Sequence, residues 1–171
     1  MKGIVERIKK IMDGEKWSLA IAESITTGNL QAQIGSVSDA SSFFKGGITV
    51  YNLGQKVKHL GVEELHAKKC DCVSDQVASE MAKGVCQLFN SLIGIATTGY
   101  AEPYAEQKIY DPYAYYAIWV RDDTGTGKIV AREQIMFDSK NRITNQLRLT
   151  EVVLEALATY LESVQNLKAN L

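Results

Sequence analysis

The sequence is poor in cysteine, histidine and proline, and it carries no surplus of either charge. Its three cysteines, Cys70, Cys72 and Cys86, are an odd set, and a Cys-x-Cys pair strains any bridge between its members. No disulfide framework is implied. The only ligand set within reach of a metal would add His66, and it lacks the Cys-x-x-Cys spacing of structural zinc sites. Ordinary buried thiols and a surface histidine are expected, with no metal. Nineteen basic against twenty acidic residues leave a net charge of -1, so nothing advertises nucleic acid or an anionic membrane as a partner. The first residues, "MKGIVERIKKIMDGEKW", lack a continuous apolar run, which argues against a signal peptide or a membrane span and for a cytoplasmic location. Internal repeats, low-complexity segments and interdomain linkers are also missing. At 171 residues and 46% hydrophobic content, one well-buried domain over residues 1–171 is expected.

What is present alternates between two periods. Ile4, Ile8 and Ile11 recur at helical spacing and predict a helix from residue 2 to about 13, ended by Gly14. "SLAIAES" reads as a strand buried on both faces, after which "TTGNLQAQIGSV" turns helical. "GGITVY" reads as a second strand and "GQKVKHLGVEELHAKK" as one or two short helices. Ser74 is placed to cap a helix whose apolar face is Val77, Met81, Val85 and Leu88, and "LIGIAT" follows as a third buried strand. Both prolines fall in "TGYAEPYAEQKIYDPY", which has no clear period and reads as a long loop of the kind that often carries function. "AYYAIWVR" and "KIVAREQIMF", joined by "DDTGTG", form an antiparallel hairpin. A long closing helix follows from about Ser139, with Ile143, Leu147, Leu154, Leu157, Leu161 and Val164 in its apolar row. The expected fold is a three-layer α/β/α sandwich with a mixed, mostly parallel central sheet, a C-terminal antiparallel hairpin and a long helix.

In such a sheet the ligand crevice lies at the carboxyl ends of the parallel strands. "AESITTG", "ITVYNLGQK" and "IATTGYAEP" all end there. The first sets Ser24, Thr26 and Thr27 at a helix start, where free N–H groups favour an anion or a developing oxyanion. A serine there becomes a nucleophile when a base is in reach, and a desolvated lysine is such a base. Each residue also has an ordinary structural reading. The hydroxyls cap a helix, Lys56 is solvated, Tyr51 is a strand-end boundary residue, Thr98 and Gly99 turn the chain, and Arg142 covers its helix. The convergence of these residues on one crevice is the signal.

Taken together, "LAIAESITTGNL", "FFKGGITVYNLGQKVKHLGV", "VSDQVASEMAKG" and "ATTGYAEP" resemble the C-terminal domain of the CinA family over nearly the whole chain. That family is associated by name with competence and DNA damage, and with nicotinamide mononucleotide amidohydrolase activity. The resemblance implies a divergent, stand-alone copy of the domain, without the nucleotide-processing domain that precedes it in longer members. It places the nucleophile at Ser24 and the base at Lys56. It implies a substrate pocket that includes Thr26, Thr27, Gly28, Tyr51, Thr98, Gly99 and Arg142, the last in "SKNRITNQ". The implied chemistry is carboxamide hydrolysis with release of ammonia, needing neither metal nor cofactor.

The chain departs from the family pattern A-E-S-C-T-G-G at Ile25 and Thr27, and from Y-S-N-x-x-K within "YNLGQK". The glycine-rich loop after T-G-I-A-G-P is replaced by a stretch holding six of the eight tyrosines, between residues 100 and 116. Glu102 and Glu106 in that stretch would repel a nearby phosphate. Two functions follow. One is a Ser/Lys amidohydrolase acting on nicotinamide mononucleotide or a related amide. The other is a diverged paralogue that binds a small ligand or a protein, and the tyrosine cluster suits either a stacking pocket or the interface of a homo-oligomer.

Overall fold

A computed structural model describes residues 1–122 and 124–170, so that Asp123 of the "DDTGTG" connection lies outside the described residues. Helix α1 (Lys2–Glu15) runs one residue past Gly14, and Lys16 ends it in the left-handed conformation. Strand β1 (Leu19–Glu23) follows, then a tight turn and α2 (Asn29–Gly35), so "TTG" is turn and not helix. Next come β2 (Phe44–Thr49), α3 (Leu53–Leu60), α4 (Glu64–Lys69), α5 (Asp75–Leu88) and β3 (Ile93–Gly99). The hairpin is β4 (Tyr113–Arg121) and β5 (Gly127–Met136), and α6 (Arg142–Ala169) closes the chain. The strand order is β2-β1-β3-β4-β5. β1 pairs in parallel with β2 and β3, while β3–β4 and β4–β5 are antiparallel, so β4 alone runs against the rest.

Strand sequences that alternate large with small residues give the sheet two unlike faces. Leu19, Ile21, Ile93, Ile95 and Ile118 point into a core packed by α1, α2 and α6. Ala20, Ala22, Ala96 and Ala117 face the opposite core, built on α5 with Leu60 and Val62. The small face lets α5 approach closely: a Cβ on Gly94 would overlap the Ala82 carbonyl. A Cβ on Gly84, in the middle of α5, would likewise overlap the backbone of Leu60 at the end of α3. α3 is thereby held against α5, beside the carboxyl end of β1.

Ser74 caps α5 by accepting the Val77 N–H. Val77, Met81 and Val85 are buried, whereas Leu88, the last residue of α5, is half exposed. The closing helix loses its expected phase in its first two turns only. Ile143 and Leu147 are exposed, and the inward positions of the first two turns hold Asn145 and Gln146. Polar groups face inward there because two loops need hydrogen-bond donors, as described below. Leu154, Leu157 and Leu161 are buried as expected. Among the described residues no helix is long and apolar enough to cross a membrane.

Gly84→Ala tests the α3–α5 contact. Alanine is the better helix former by roughly 1 kcal/mol, but overlap in a packed core typically costs about 1–3 kcal/mol. The expected outcome is a lower urea midpoint for the variant, and a raised midpoint would show that α3 does not press on α5.

Candidate active site

The residues of "AESITTGN" divide their labour. Glu23, the last residue of β1, is fully buried. Its carboxylate accepts the N–H groups of Gly28 at 2.9 Å, Leu30 at 3.1 Å and Gln31 at 2.9 Å. The acid is thus the cap of α2, satisfying donors that the helix leaves open. Thr26 also turns inward, and its hydroxyl shares a hydrogen bond of 2.8 Å with that of Thr97 in the core. Thr27 is exposed with φ of 50°, a left-handed conformation unfavourable for a β-branched residue, and Gly28 follows at φ 102°. Thr26, Thr27 and Gly28, expected in the pocket, instead build the turn behind it. β1 ends at Glu23 and the chain turns at once, so that of the three hydroxyl residues only Ser24 lines the cleft.

The cleft has a volume of about 480 Å³, within the ~300–1,000 Å³ usual for small-molecule sites. Ser24, Tyr51, Lys56, Thr98, Gly99 and Arg142 all line it, so six of the expected residues meet from four segments of the chain. Asn52 caps α3 by accepting the Gln55 N–H, and one turn later Lys56 points back under the strand ends. Lys56 is only 1% exposed. Its amine donates to Ser24 Oγ at 2.9 Å, to the Val50 carbonyl at 2.9 Å and to the Tyr51 carbonyl at 3.3 Å. Burial lowers its pKa from the ordinary lysine value, and the opposing influence of Cys72 and Asp71 does not offset it. The solvated role that is ordinary for a lysine therefore does not apply to Lys56. Among the described residues, the backbone N–H groups of Ile25 and Thr26 have no protein acceptor.

The other wall was legible in the sequence only at Thr98 and in the tyrosine stretch. Asp71 and Cys72 follow α4 in consecutive left-handed conformations, with φ of 49° and 63°. The Cys72 N–H donates to the Ala67 carbonyl, and the Thr98 hydroxyl donates to the Cys72 carbonyl, both at 2.7 Å. Thr98 is thereby a wall residue whose hydroxyl proton is already committed. Tyr100 and Tyr104 complete this side, and the Tyr100 hydroxyl donates to Asp71 at 2.9 Å. Burial, followed by Asp71, raises the Tyr100 pKa well above the ordinary phenol range, which keeps that hydroxyl a donor. No local motif marks Asp71, and Cys72 stood out only as a thiol. His66, meanwhile, pairs with the Ser74 hydroxyl at 2.9 Å, and no three metal-ligating side chains converge among the described residues.

The start of α6 ties the loops together. Gln146 donates to the Ile25 carbonyl and Asn145 to the Ala101 carbonyl, each at 2.8 Å. Lys140 holds Asp111 at 2.6 Å. Arg142 donates to Glu102 at 2.7 Å and also to the Tyr51 hydroxyl. Burial works against the charge of Arg142, but Glu102 and Tyr51 outweigh it and raise the guanidinium pKa.

Glu23→Gln removes the charge that three N–H groups share. It is expected to cost about 2 kcal/mol of stability, in the range for hydrogen bonds to charged groups. Urea unfolding of the two proteins measures the difference, and equal midpoints would mean that Glu23 does not hold the turn.

Residues 1–161 match the family model for the CinA C-terminal domain. A CinA-like protein of Chlorobium limicola is 31% identical over 159 residues, covering 93% of this chain and 37% of the relative. A CinA-like protein of a Picosynechococcus species is 45% identical over 86 residues, 50% of this chain and 20% of the relative. The chain thus spans well under half the length of these curated relatives. A crystal structure of a competence-damaged protein (CinA) superfamily member from Klebsiella pneumoniae superposes with a TM-score of 0.84 at 23% identity, covering 95% of this chain and 98% of the other. A competence or damage-inducible protein from Enterobacter asburiae also gives a TM-score of 0.84, at 21% identity, covering 92% of this chain and 96% of the other. At such identities the two structures speak for the fold, and the sequence match for the family: the chain belongs to the CinA C-terminal domain family.

Proposed function

We propose that the chain hydrolyses the carboxamide of nicotinamide mononucleotide or a related amide, with Ser24 as nucleophile and Lys56 as general base. The observation that carries this reading is the lysine amine, buried and 2.9 Å from a serine oxygen that borders an open cleft. A protonated amine has three N–H groups, and three oxygens receive them. On losing its proton it keeps two for the Val50 and Tyr51 carbonyls, and its lone pair turns to the Ser24 hydroxyl, which then donates. The lowered Lys56 pKa favours that state.

Ser24 Oγ attacks the carboxamide carbon as Lys56 takes its proton, and the N–H of Ile25, which lines the cleft, receives the oxyanion. Lys56 returns the proton to nitrogen as the C–N bond breaks and ammonia leaves. Water attacks the resulting ester, Lys56 takes the proton of that water and passes it to Ser24, and the acid is released. The chain supplies every proton transfer from one amine.

A second reading is a domain of the same cleft that binds a small ligand without turnover. It draws on Arg142, which is already occupied by Glu102.

Ammonia release from nicotinamide mononucleotide and from nicotinamide riboside separates the two readings. The hydrolase reading expects Ser24→Ala and Lys56→Ala each to lose about 10³-fold or more in kcat/KM while circular dichroism stays that of the parent. Lys56→Arg is expected to be equally inactive, since a guanidinium does not deprotonate. Folded parent protein that releases ammonia from neither nicotinamide mononucleotide nor its riboside would favour the binder.

The pH profile is a separate test. Because Lys56 must be neutral to accept a proton, kcat/KM is expected to rise with pH and level off at an apparent pKa below the ordinary 10.5. A rate that falls as pH rises through this range would exclude Lys56 as the base.

A further inference from the structure

Charge around the cleft is arranged against a phosphate. Arg142 is the cation placed to greet an anionic group at the mouth, and Glu102 already takes it at 2.7 Å. Asp71, on the opposite wall, is a second carboxylate. Lys56, the remaining basic group lining the cleft, lies beneath the strand ends with its N–H groups directed to Ser24, Val50 and Tyr51. A phosphate seated on Arg142 would have to displace Glu102 and then remain beside it, which juxtaposes like charges. The aromatic wall points the other way. Tyr100 and Tyr104 line the cleft with ring centroids 6.3 Å apart, and the hydroxyl of Tyr100 is bonded to Asp71. Aromatic faces backed by carboxylates attract a planar cation.

Resting on the reading of this cleft as a carboxamide site, we propose that its substrate is an unphosphorylated carboxamide on a cationic aromatic ring, and that Glu102 is the residue that rejects the phosphorylated form. Glu102 acts by occupying Arg142 and by its own charge. A pyridinium carboxamide riboside has the required chemistry: a flat cation, neutral sugar hydroxyls and the scissile amide. Its 5'-phosphate adds roughly -1.5 to -2 of charge at neutral pH and brings it against Glu102.

The test is calorimetric binding of nicotinamide riboside and nicotinamide mononucleotide to the Ser24→Ala protein at low ionic strength, with ammonia release by the parent measured alongside. The riboside is expected to bind at least tenfold more tightly than the mononucleotide. Adding Glu102→Gln is expected to shift that ratio about tenfold toward the mononucleotide, and added salt to narrow it in the unmodified pocket. Equal or tighter binding of the mononucleotide, a ratio that Glu102→Gln leaves in place, or binding of neither compound would each overturn the proposal. Preferential riboside binding without ammonia release would sink the hydrolase reading and leave the charge selection standing. Ammonia release from a tightly bound mononucleotide would do the reverse.

Discussion

The site is organised by one buried nitrogen. Lys56 lies below the carboxyl ends of β1 and β2, and the partners of its amine are Ser24, just after the first strand, and two carbonyls just after the second. An ammonium taken out of water is costly unless its hydrogen bonds are replaced, so the ends of two neighbouring strands must meet its geometry together. That requirement reaches outward through the fold. α3 must hold the lysine stem inward, and it does so because Gly84 lets α5 carry it without a side chain in between. The turn after β1 must present Ser24, and it does so because Glu23 anchors the next helix by its first N–H groups.

The mouth of the cleft is assembled differently, from long loops stitched to the start of α6. Gln146 reaches Ile25 after β1, Asn145 and Arg142 reach Ala101 and Glu102, and Lys140 reaches Asp111. This is why the first turns of α6 place amides inward and leave Ile143 and Leu147 exposed. The tyrosine-rich stretch is therefore a built wall: its backbone is held by Asn145 and Lys140, and its rings by Asp71 and by the edge contact of Tyr100 with Tyr113. A wall of this kind sets what enters the cleft, while the buried amine sets what happens there in the proposed reaction.

The fold was largely legible because its signals are local. The large-small alternation of "LAIA" and "IGIA" makes strands with two buried faces, Ser74 announces α5, and the spacing of Ile4, Ile8 and Ile11 announces α1. The site was legible in part. Ser24, Tyr51, Thr98, Gly99 and Arg142 stand at element ends, where a crevice is expected, and the family pattern singles out Lys56. Thr26, Thr27 and Gly28 were misplaced because a run of hydroxyls and glycine reads alike whether it faces a cleft or builds the turn behind it.

By itself, the sequence determined the elements, their order and the polar strand ends, since periodicity, caps and turn residues act over a few neighbouring positions. Tertiary structure alone decided the direction each polar group faces and the charge state it prefers. Lys56 meets Ser24 across 32 positions, and Arg142 meets Glu102 across 40. Whether a lysine is solvated or buried, and whether an arginine is free or occupied, depends on desolvation and on partners that distant segments bring. Asp71 and Cys72 joined the wall for the same reason, through a left-handed turn held by Ala67 and Thr98 that no local pattern marks.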